Sequence, residues 1–323
     1  MSTFSHNPVL VDAVCEALAA PFDSSAHRSK SGVLLDLTCG GAGHTRALLR
    51  VLQPETVIAF DRDANALAAA RDRLKDAPCE VVFVHAPFSS MHRELDAIGV
   101  SHVDAILADL GVSSHQLDTG ARGFSFRLHG PLDMRMDPSR GQPLSTWLAR
   151  LTAEELTRVL REFGEEPDSR RIATAIVSQR PQDTTELAEV VTQAMSARQR
   201  RHLGTRIHPA TRTFQALRIM VNGEFDELDA MLRDAPERLQ VGGRLAIISF
   251  HSLEDRRVKR TFRKLCENPA LPHGVPIPDH ERPKAPFRIA PSFRKGRMAT
   301  DEERTSNPRS RSARLRVLER IEA

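Results

Sequence analysis

The sequence predicts an α/β fold: a mostly parallel sheet covered by helices on both faces, with a small α-helical domain inserted late in the sheet. Three observations predict it. Short, almost wholly apolar runs alternate with amphipathic segments up to Asp109, as buried parallel strands joined by crossover helices require. A glycine-rich turn follows the first of those runs. After Asp109 the alternation stops and resumes only at Arg244–Ser249, about 135 residues later, where a crossover needs only a few dozen.

Each element has its own reason. Asn7 can cap a first helix running to Leu18, Pro8 suits its first helical position, and apolar residues recur at three- and four-residue steps. Strands are expected at Val33–Leu37, Val57–Phe60, Glu80–His85 and Val103–Ala108, with helices over Thr45–Val51 and Ala64–Lys75. The inserted helical domain is placed at 114–218, between two parts of one sheet domain, 1–113 and 219–323. Within it, Thr152-x-x-Glu155 is a capping box opening a helix to Phe163. Arg170–Gln179 is a second helix, and Asp183 can cap a third over Thr184–Ala197. Phe214–Leu239 reads as one long helix returning to the sheet. Gly242-Gly243 reads as a turn before the Arg244–Ser249 strand, and Leu253–Cys266 as a basic helix. The proline-rich stretch from Pro269 to Pro291 reads as loop, touching the sheet at Phe287–Ala290. Ala313–Arg320 alternates with period two, as a sheet-edge strand should.

Composition excludes several classes. The 323 residues are 40% hydrophobic and 27% charged, ordinary for a soluble globular protein. No apolar run approaches the roughly 18 residues that span a bilayer, so no membrane partner is expected. The N-terminus lacks a basic segment leading into an apolar core. Cys15, Cys39, Cys79 and Cys266 have neither disulfide-framework nor metal-ligand spacing, which fits a reducing cytoplasm and no metal. His251 has no second ligand at suitable spacing and reads as a structural residue. From Arg256 onward there are 18 Lys/Arg against 8 Asp/Glu, whereas the rest carries 28 against 34. That asymmetry points to a polyanionic partner for the C-terminal part, with a solvated basic surface as the plain alternative. With no tyrosine and one tryptophan, any base-stacking platform must use phenylalanine, histidine or arginine.

The stretch Gly32 to His44 carries the chemistry. An apolar strand ends in Asp36, a glycine-rich turn follows, and a helix begins, so backbone can press against a nucleotide-like ligand where a side chain would intrude. A pyrophosphate site wants G-x-G-x-x-G, but Arg46 stands where the third glycine should be. Asp36 adds a negative charge that a pyrophosphate disfavours and an amino-bearing sulfonium accepts. The second strand ends at Asp61, placed to accept ribose hydroxyl protons. These features favour S-adenosylmethionine. Ligands of such sheets sit outside the carboxyl ends of the strands, where this loop, Asp61, the turn at Phe88 and the turn at Asp109 should converge. Phe88 suits an adenine face or an ordinary buried position. Asp109 ends a nearly apolar run, which favours a functional acid.

The longer motifs are specific. They are Asp109-Leu110-Gly111-Val112-Ser113-Ser114-His115-Gln116-Leu117-Asp118, Arg122-Gly123-Phe124-Ser125-Phe126, and Gly130-Pro131-Leu132-Asp133-Met134-Arg135-Met136-Asp137-Pro138. Further on stand His208-Pro209-Ala210-Thr211-Arg212-Thr213-Phe214-Gln215, Ser249-Phe250-His251-Ser252-Leu253-Glu254-Asp255-Arg256 and Asn307-Pro308-Arg309-Ser310. Across essentially the whole chain this resembles the bacterial small-subunit ribosomal RNA methyltransferase H family. The resemblance implies a Rossmann-like class I S-adenosylmethionine-dependent methyltransferase acting on the exocyclic N4 of a cytidine in the decoding region of 16S ribosomal RNA. It implies cofactor contacts at Ala42, Gly43, His44, Asp61, Phe88, Asp109 and Gln116. The partners implied are 16S rRNA or the small ribosomal subunit; a homodimer is left open. Ala42 departs from the family, where glycine is more usual.

The N4 lone pair of cytosine is delocalised into the ring, so an acceptor for one N4 proton would help expose it, and Asp109 or the carbonyls of its turn could serve. Phe124 and Phe126 are candidates for stacking on the base, or core residues of the insert. Asp133, Arg135, Asp137 and Arg212, with the arginines at 198, 200, 201 and 206, would hold RNA; the ion pairs Asp133 and Asp137 make with Arg135 could equally be structural. Attack by a cysteine at the pyrimidine ring is disfavoured, since Cys39 packs in the loop and Cys79 precedes the third strand. Two other readings stand beside this one: the same fold acting on DNA or protein, and a cofactor-binding assembly factor without turnover.

Overall fold

The computed structural model describes residues 8–23, 32–204, 208–269 and 282–322. The chain divides into two compact units, one formed by Met1–Gly111 with Asp226–Ala323 and the other by Val112–Phe225. The first unit holds one eight-stranded sheet: β1 (Val33–Asp36), β2 (Thr56–Asp61), β3 (Glu80–His85), β4 (Val103–Asp109), β5 (Leu239–Ser249), β6 (Phe287–Ile289), β7 (Arg297–Met298) and β8 (Arg314–Arg320). Their order is β3-β2-β1-β4-β5-β8-β6, with β7 also on β8. The five strands β1 to β5 run parallel, and β8 turns antiparallel to β5.

Successive residues of each parallel strand point to opposite faces, and in β1, β2 and β4 both faces are buried, which is why these strands read as continuous apolar runs, whereas β3 at the sheet edge stays partly exposed throughout. Leu34, Val57, Ala59, Ala105, Leu107, Ala246 and Ile248 share one core cluster. Leu35, Ile58, Phe60, Ile106, Ala108, Leu245 and Ile247 share the other.

The first unit's N-terminal helices are α1 (Val11–Asp23), α2 (Gly43–Leu52), α3 (Ala64–Leu74) and α4 (Met91–Ala97). The first starts later than Asn7 and Pro8 suggest. Leu10 has a left-handed φ of 56°, so the chain turns there and the helix opens only at Val11. Asn7 itself lies outside the described residues.

The second unit is helical: α5 (Ser114–Asp118), α6 (Leu144–Arg150), α7 (Ala153–Gly164), α8 (Ser169–Gln179), α9 (Thr184–Ala194), α10 (Ala197–Leu203) and α11 (Thr211–Asn222). The Thr152–Glu155 capping box forms, and Asp183 accepts from the N–H groups of Thr185 and Glu186. The third helix of the sequence reading ends at Ala194 rather than Ala197, because Ser196 caps a separate helix, α10. Leu144, Leu156, Leu160, Ile172, Ile176, Leu187 and Leu217 form this unit's own core.

The expected helix over Phe214–Leu239 is two helices. Gly223, at φ 58°, closes α11, and α12 (Glu224–Asp234) follows. Leu239 already belongs to β5. The Gly242-Gly243 pair is not a turn before the strand but an irregularity inside it. The β4–β5 register shifts between Val103 and Ala105, Gly242 has φ 85°, and a Cβ on Gly243 would sit 3.0 Å from the Asp104 carbonyl oxygen. The chain ends with α13 (Ser252–Leu265), β6, β7, α14 (Asp301–Ser306) and β8.

The tail strand is not an edge. β8 lies between β5 on one side and β6 and β7 on the other, and its five central residues are all buried. Its alternating charges are neutralised in place. Arg316 makes two bonds to Asp255, at 2.6 and 3.0 Å, and Glu319 takes Arg244 and Arg288. Among the described residues, no helix is long and apolar enough to cross a membrane.

Candidate active site

Parallel pairing levels the strand tips, because Asp36 pairs with Ala59 and Leu107 on its two neighbours. The carboxylates of Asp36, Asp61 and Asp109 therefore end three adjacent strands around the glycine loop. Asp36 does not face a ligand. It is 1% exposed, and its oxygens accept from the Thr45 hydroxyl at 2.6 Å and the Thr38 N–H at 3.1 Å. Burial pushes its carboxyl up. Asp36 ties the loop to the start of α2. Thr38 passes the connection on, because its hydroxyl oxygen accepts the Asp109 N–H at 2.6 Å. The hydroxyls at 38 and 45 were the overlooked signal: a strand-end acid followed by threonines can be consumed inside its own loop.

Asp61 is shaped differently. One oxygen accepts the Gly40 N–H at 2.7 Å and the other the Asp63 N–H at 2.8 Å. Each oxygen keeps a second lone pair. Burial pushes the carboxyl up to about 6. The loop is closed from outside by Arg73, which donates to the Gly41 carbonyl at 2.8 Å. Ala42 sits at the start of α2 with φ 59°, fully buried. An L-residue there costs about 1 kcal/mol that glycine avoids.

Asp109 is the most unusual group. Its Oδ1 is buried and, among the described residues, has no hydrogen-bond partner. Its Oδ2 stands 3.5 Å from His44 Nδ1, while His44 Nε2 lies 2.7 Å from the Val9 carbonyl oxygen. Burial, and after it the charge of Glu254, pushes the Asp109 carboxyl up to about 7. Burial lowers the His44 ring in turn. An orphaned buried acceptor calls for a donor, since leaving it bare costs roughly 1–3 kcal/mol. The site thus fits a ligand that brings N–H groups and hydroxyls to it.

Phe88 is half-buried at the turn after β3 and packs against the second core cluster. Cys39 is 4% exposed and its thiol is pushed well up by burial, so it offers no thiolate. His251 caps α13 by accepting the Glu254 N–H.

The remaining expected residues lie in the second unit. Gln116 is buried and closes a capping box with Ser113. Phe124 is 5% exposed in that unit's core, whereas Phe126 is half-buried and stacks on His208 with ring centres 4.4 Å apart. Asp133 and Arg135 form a two-bonded ion pair at 2.8 and 2.7 Å. Asp137 accepts from the Ser139 N–H and hydroxyl, and Arg212 donates to the Glu165 carbonyl. Arg198, Arg200 and Arg201 are exposed on α10, and Arg206 falls outside the described residues.

The fold and the strand-tip site define an α/β cofactor-binding transferase architecture. The chain belongs to the MraW methylase family, whose pattern matches residues 3–321. It is 46% identical over 320 residues to a ribosomal RNA small subunit methyltransferase H of Aromatoleum aromaticum, covering 98% of this chain and 96% of that one. It is 44% identical over 328 residues to the protein of the same name in Burkholderia mallei, covering 98% of each. Among solved structures, an rRNA methylase from Streptococcus thermophilus aligns over 99% of this chain and 100% of its own at 13% identity, with a TM-score of 0.39. The methyl donor of the family is S-adenosylmethionine.

Proposed function

We propose that this protein methylates the exocyclic N4 of a cytidine in the decoding region of 16S ribosomal RNA. The observation that carries the reading is Asp109 Oδ1, a buried acceptor without a partner at the tip of a central strand. It is suited to take an N–H from an amine whose lone pair must be freed for attack. S-adenosylmethionine, when bound, supplies an electrophilic methyl group. The chain's own residues bind and orient. The backbone of Ala42, Gly43 and His44 would line the cofactor, Asp61 would accept from its ribose hydroxyls through spare lone pairs, and Phe88 would meet its adenine. In the second unit, the Phe126–His208 stack is the better aromatic candidate for a base, because Phe124 is committed to the core. Asp133, Arg135, Asp137 and Arg212 shape the substrate-facing loops of that unit, and the arginines of α10 take RNA phosphates.

The test is methyl transfer from labelled cofactor to free 16S RNA, small subunits and DNA, followed by mapping of the modified base. Label on N4 of a cytidine in the RNA or the subunit is expected, and Asp109→Ala should abolish it. Label on DNA or protein alone, or on a ring carbon, would refute the proposal.

A further inference from the structure

We propose that Glu303 is a positioning residue for Asp109, acting through the Val9–Leu10 turn and the His44 ring. Glu303 is far from the loop in sequence, but its Oε1 accepts the Leu10 N–H at 2.6 Å across 293 residues. Leu10 needs that hold. It carries a side chain at φ 56°, a conformation that costs an L-residue about 1 kcal/mol. Its side chain is 3% exposed in the core, so it cannot leave to relieve the turn. A charge-assisted bond to a carboxylate is the stronger kind of hydrogen bond, and here it pins a strained residue.

The turn determines which nitrogen of His44 carries hydrogen. It aims the Val9 carbonyl at His44 Nε2, 2.7 Å away. A carbonyl only accepts, so Nε2 must be the N–H. In the neutral ring Nδ1 is then bare, and it faces Asp109 Oδ2 at 3.5 Å. Two lone pairs do not face each other favourably, so one proton belongs between them, either on Nδ1 or on the carboxyl. Either way that proton occupies Oδ2 and leaves Oδ1 as the open acceptor. The charged groups around His44 are Asp36, Asp109 and Glu303, and around Asp109 they are His44, Asp36 and Glu254.

The catalytic consequence rests on the N4-methylation reading. As the N4–carbon bond forms, the sulfur–carbon pair returns to sulfur, one N4 proton passes to Asp109 Oδ1, and the proton shared at Oδ2 ends on His44 Nδ1. With Glu303 absent, the Val9 carbonyl is no longer held at Nε2, His44 is free to carry its hydrogen on Nδ1, and no bare ring nitrogen faces Oδ2 to take its proton.

The experiment reads the ring and the turnover separately. In protein labelled with 15N-histidine, His44 is assigned by the signal lost in His44→Asn, and its two nitrogens are followed with pH. The native protein should show Nε2–H throughout, with Nδ1 bare or protonated. Glu303→Ala should introduce the Nδ1–H tautomer, whereas Glu303→Gln, which keeps an accepting oxygen, should retain the native tautomer. In methyl transfer, Glu303→Ala should lower kcat about tenfold with little change in KM for the cofactor, and Glu303→Gln should restore most of it. Native His44 signals in a folded Glu303→Ala protein would overturn the proposal. If the Ala variant does not fold, Glu303→Gln decides: removing the charge that faces the ring must lower the pH at which His44 protonates, and an unmoved midpoint refutes the assignment. Absence of transfer to any RNA would sink the functional reading and leave the tautomer result standing.

Discussion

Asp109→Asn should stabilise the cofactor-free protein at alkaline pH while removing its activity. The carboxyl ionises near 3.8 in an unfolded chain and is pushed up to about 7 in the fold, chiefly by burial. Below the lower value it is protonated in both states, and there is no penalty. Between the two, the unfolded chain releases its proton and the folded one does not, so stability falls as pH rises; above about 7 the full penalty is present. At about 1.36 kcal/mol per pH unit, the difference amounts to roughly 4 kcal/mol. Water reaches the side chain, which is 25% exposed, and its screening reduces the figure; about 2–3 kcal/mol is the expected gain for asparagine at pH 8.5, and almost none at pH 4. Asparagine can also donate its amide hydrogen to the bare Nδ1 of His44. The assay is hydrogen exchange of the β4 amides, together with urea unfolding followed by far-UV circular dichroism, for both proteins at both pH values. Tryptophan fluorescence would report the other unit, because the chain's one tryptophan is Trp147. A gain of equal size at both pH values, or none at pH 8.5, would refute the burial argument.

Two further outcomes are expected. Asp255→Ala strands the guanidinium of Arg316, which is 9% exposed and doubly bonded to that carboxylate, and should cost about 3 kcal/mol in urea unfolding. Adding Arg316→Met should recover much of that loss, and a purely additive double variant would show that the pair is not coupled. Reversing Lys259, Arg260 and Lys264, all exposed on α13, to glutamate should weaken RNA binding about tenfold at low salt and flatten its dependence on salt, with cofactor affinity unchanged. Filter binding over a salt series checks this, and an unaltered slope would remove α13 from the RNA surface.

The central strands were legible because a parallel sheet buried on both faces writes itself as unbroken apolar runs; β1, β2 and β4 are such runs, bounded by acids and turns. Caps were equally legible at Thr152 and Asp183, where one short side chain satisfies nearby N–H groups. Position within the sheet was not. Arg314–Arg320 alternates like an edge strand, yet Arg316 and Glu319 are buried because partners far away in sequence, Asp255, Arg244 and Arg288, neutralise them. Gly223 was passed over inside a helical pattern because the apolar period continues on both sides of it, although its backbone ends one helix and starts another. At the candidate site the strand-end acids were visible, but the division of labour between them was not. Asp36, Asp61 and Asp109 look alike in sequence and differ only in what the fold brings to their oxygens.

That difference orders the chemistry. Asp36 is 1% exposed and accepts one donor on each oxygen from the loop it anchors, Asp61 accepts one backbone donor on each oxygen but stays half-buried, and Asp109 has one oxygen against His44 and, among the described residues, no partner for the other. Burial raises all three carboxyls, and Asp36 interacts electrostatically with both of the others, so each additional charge makes the next harder to keep. A strand-tip cluster of this kind is costly without a ligand and is relieved by one that carries positive charge and hydrogen-bond donors. A cofactor with a sulfonium and an ammonium group offsets the accumulated charge. On the N4-methylation reading, Asp109 Oδ1 is then the acceptor that meets the amine. A site with all three acids satisfied internally would be a more stable protein, and it would have no oxygen left to receive the proton.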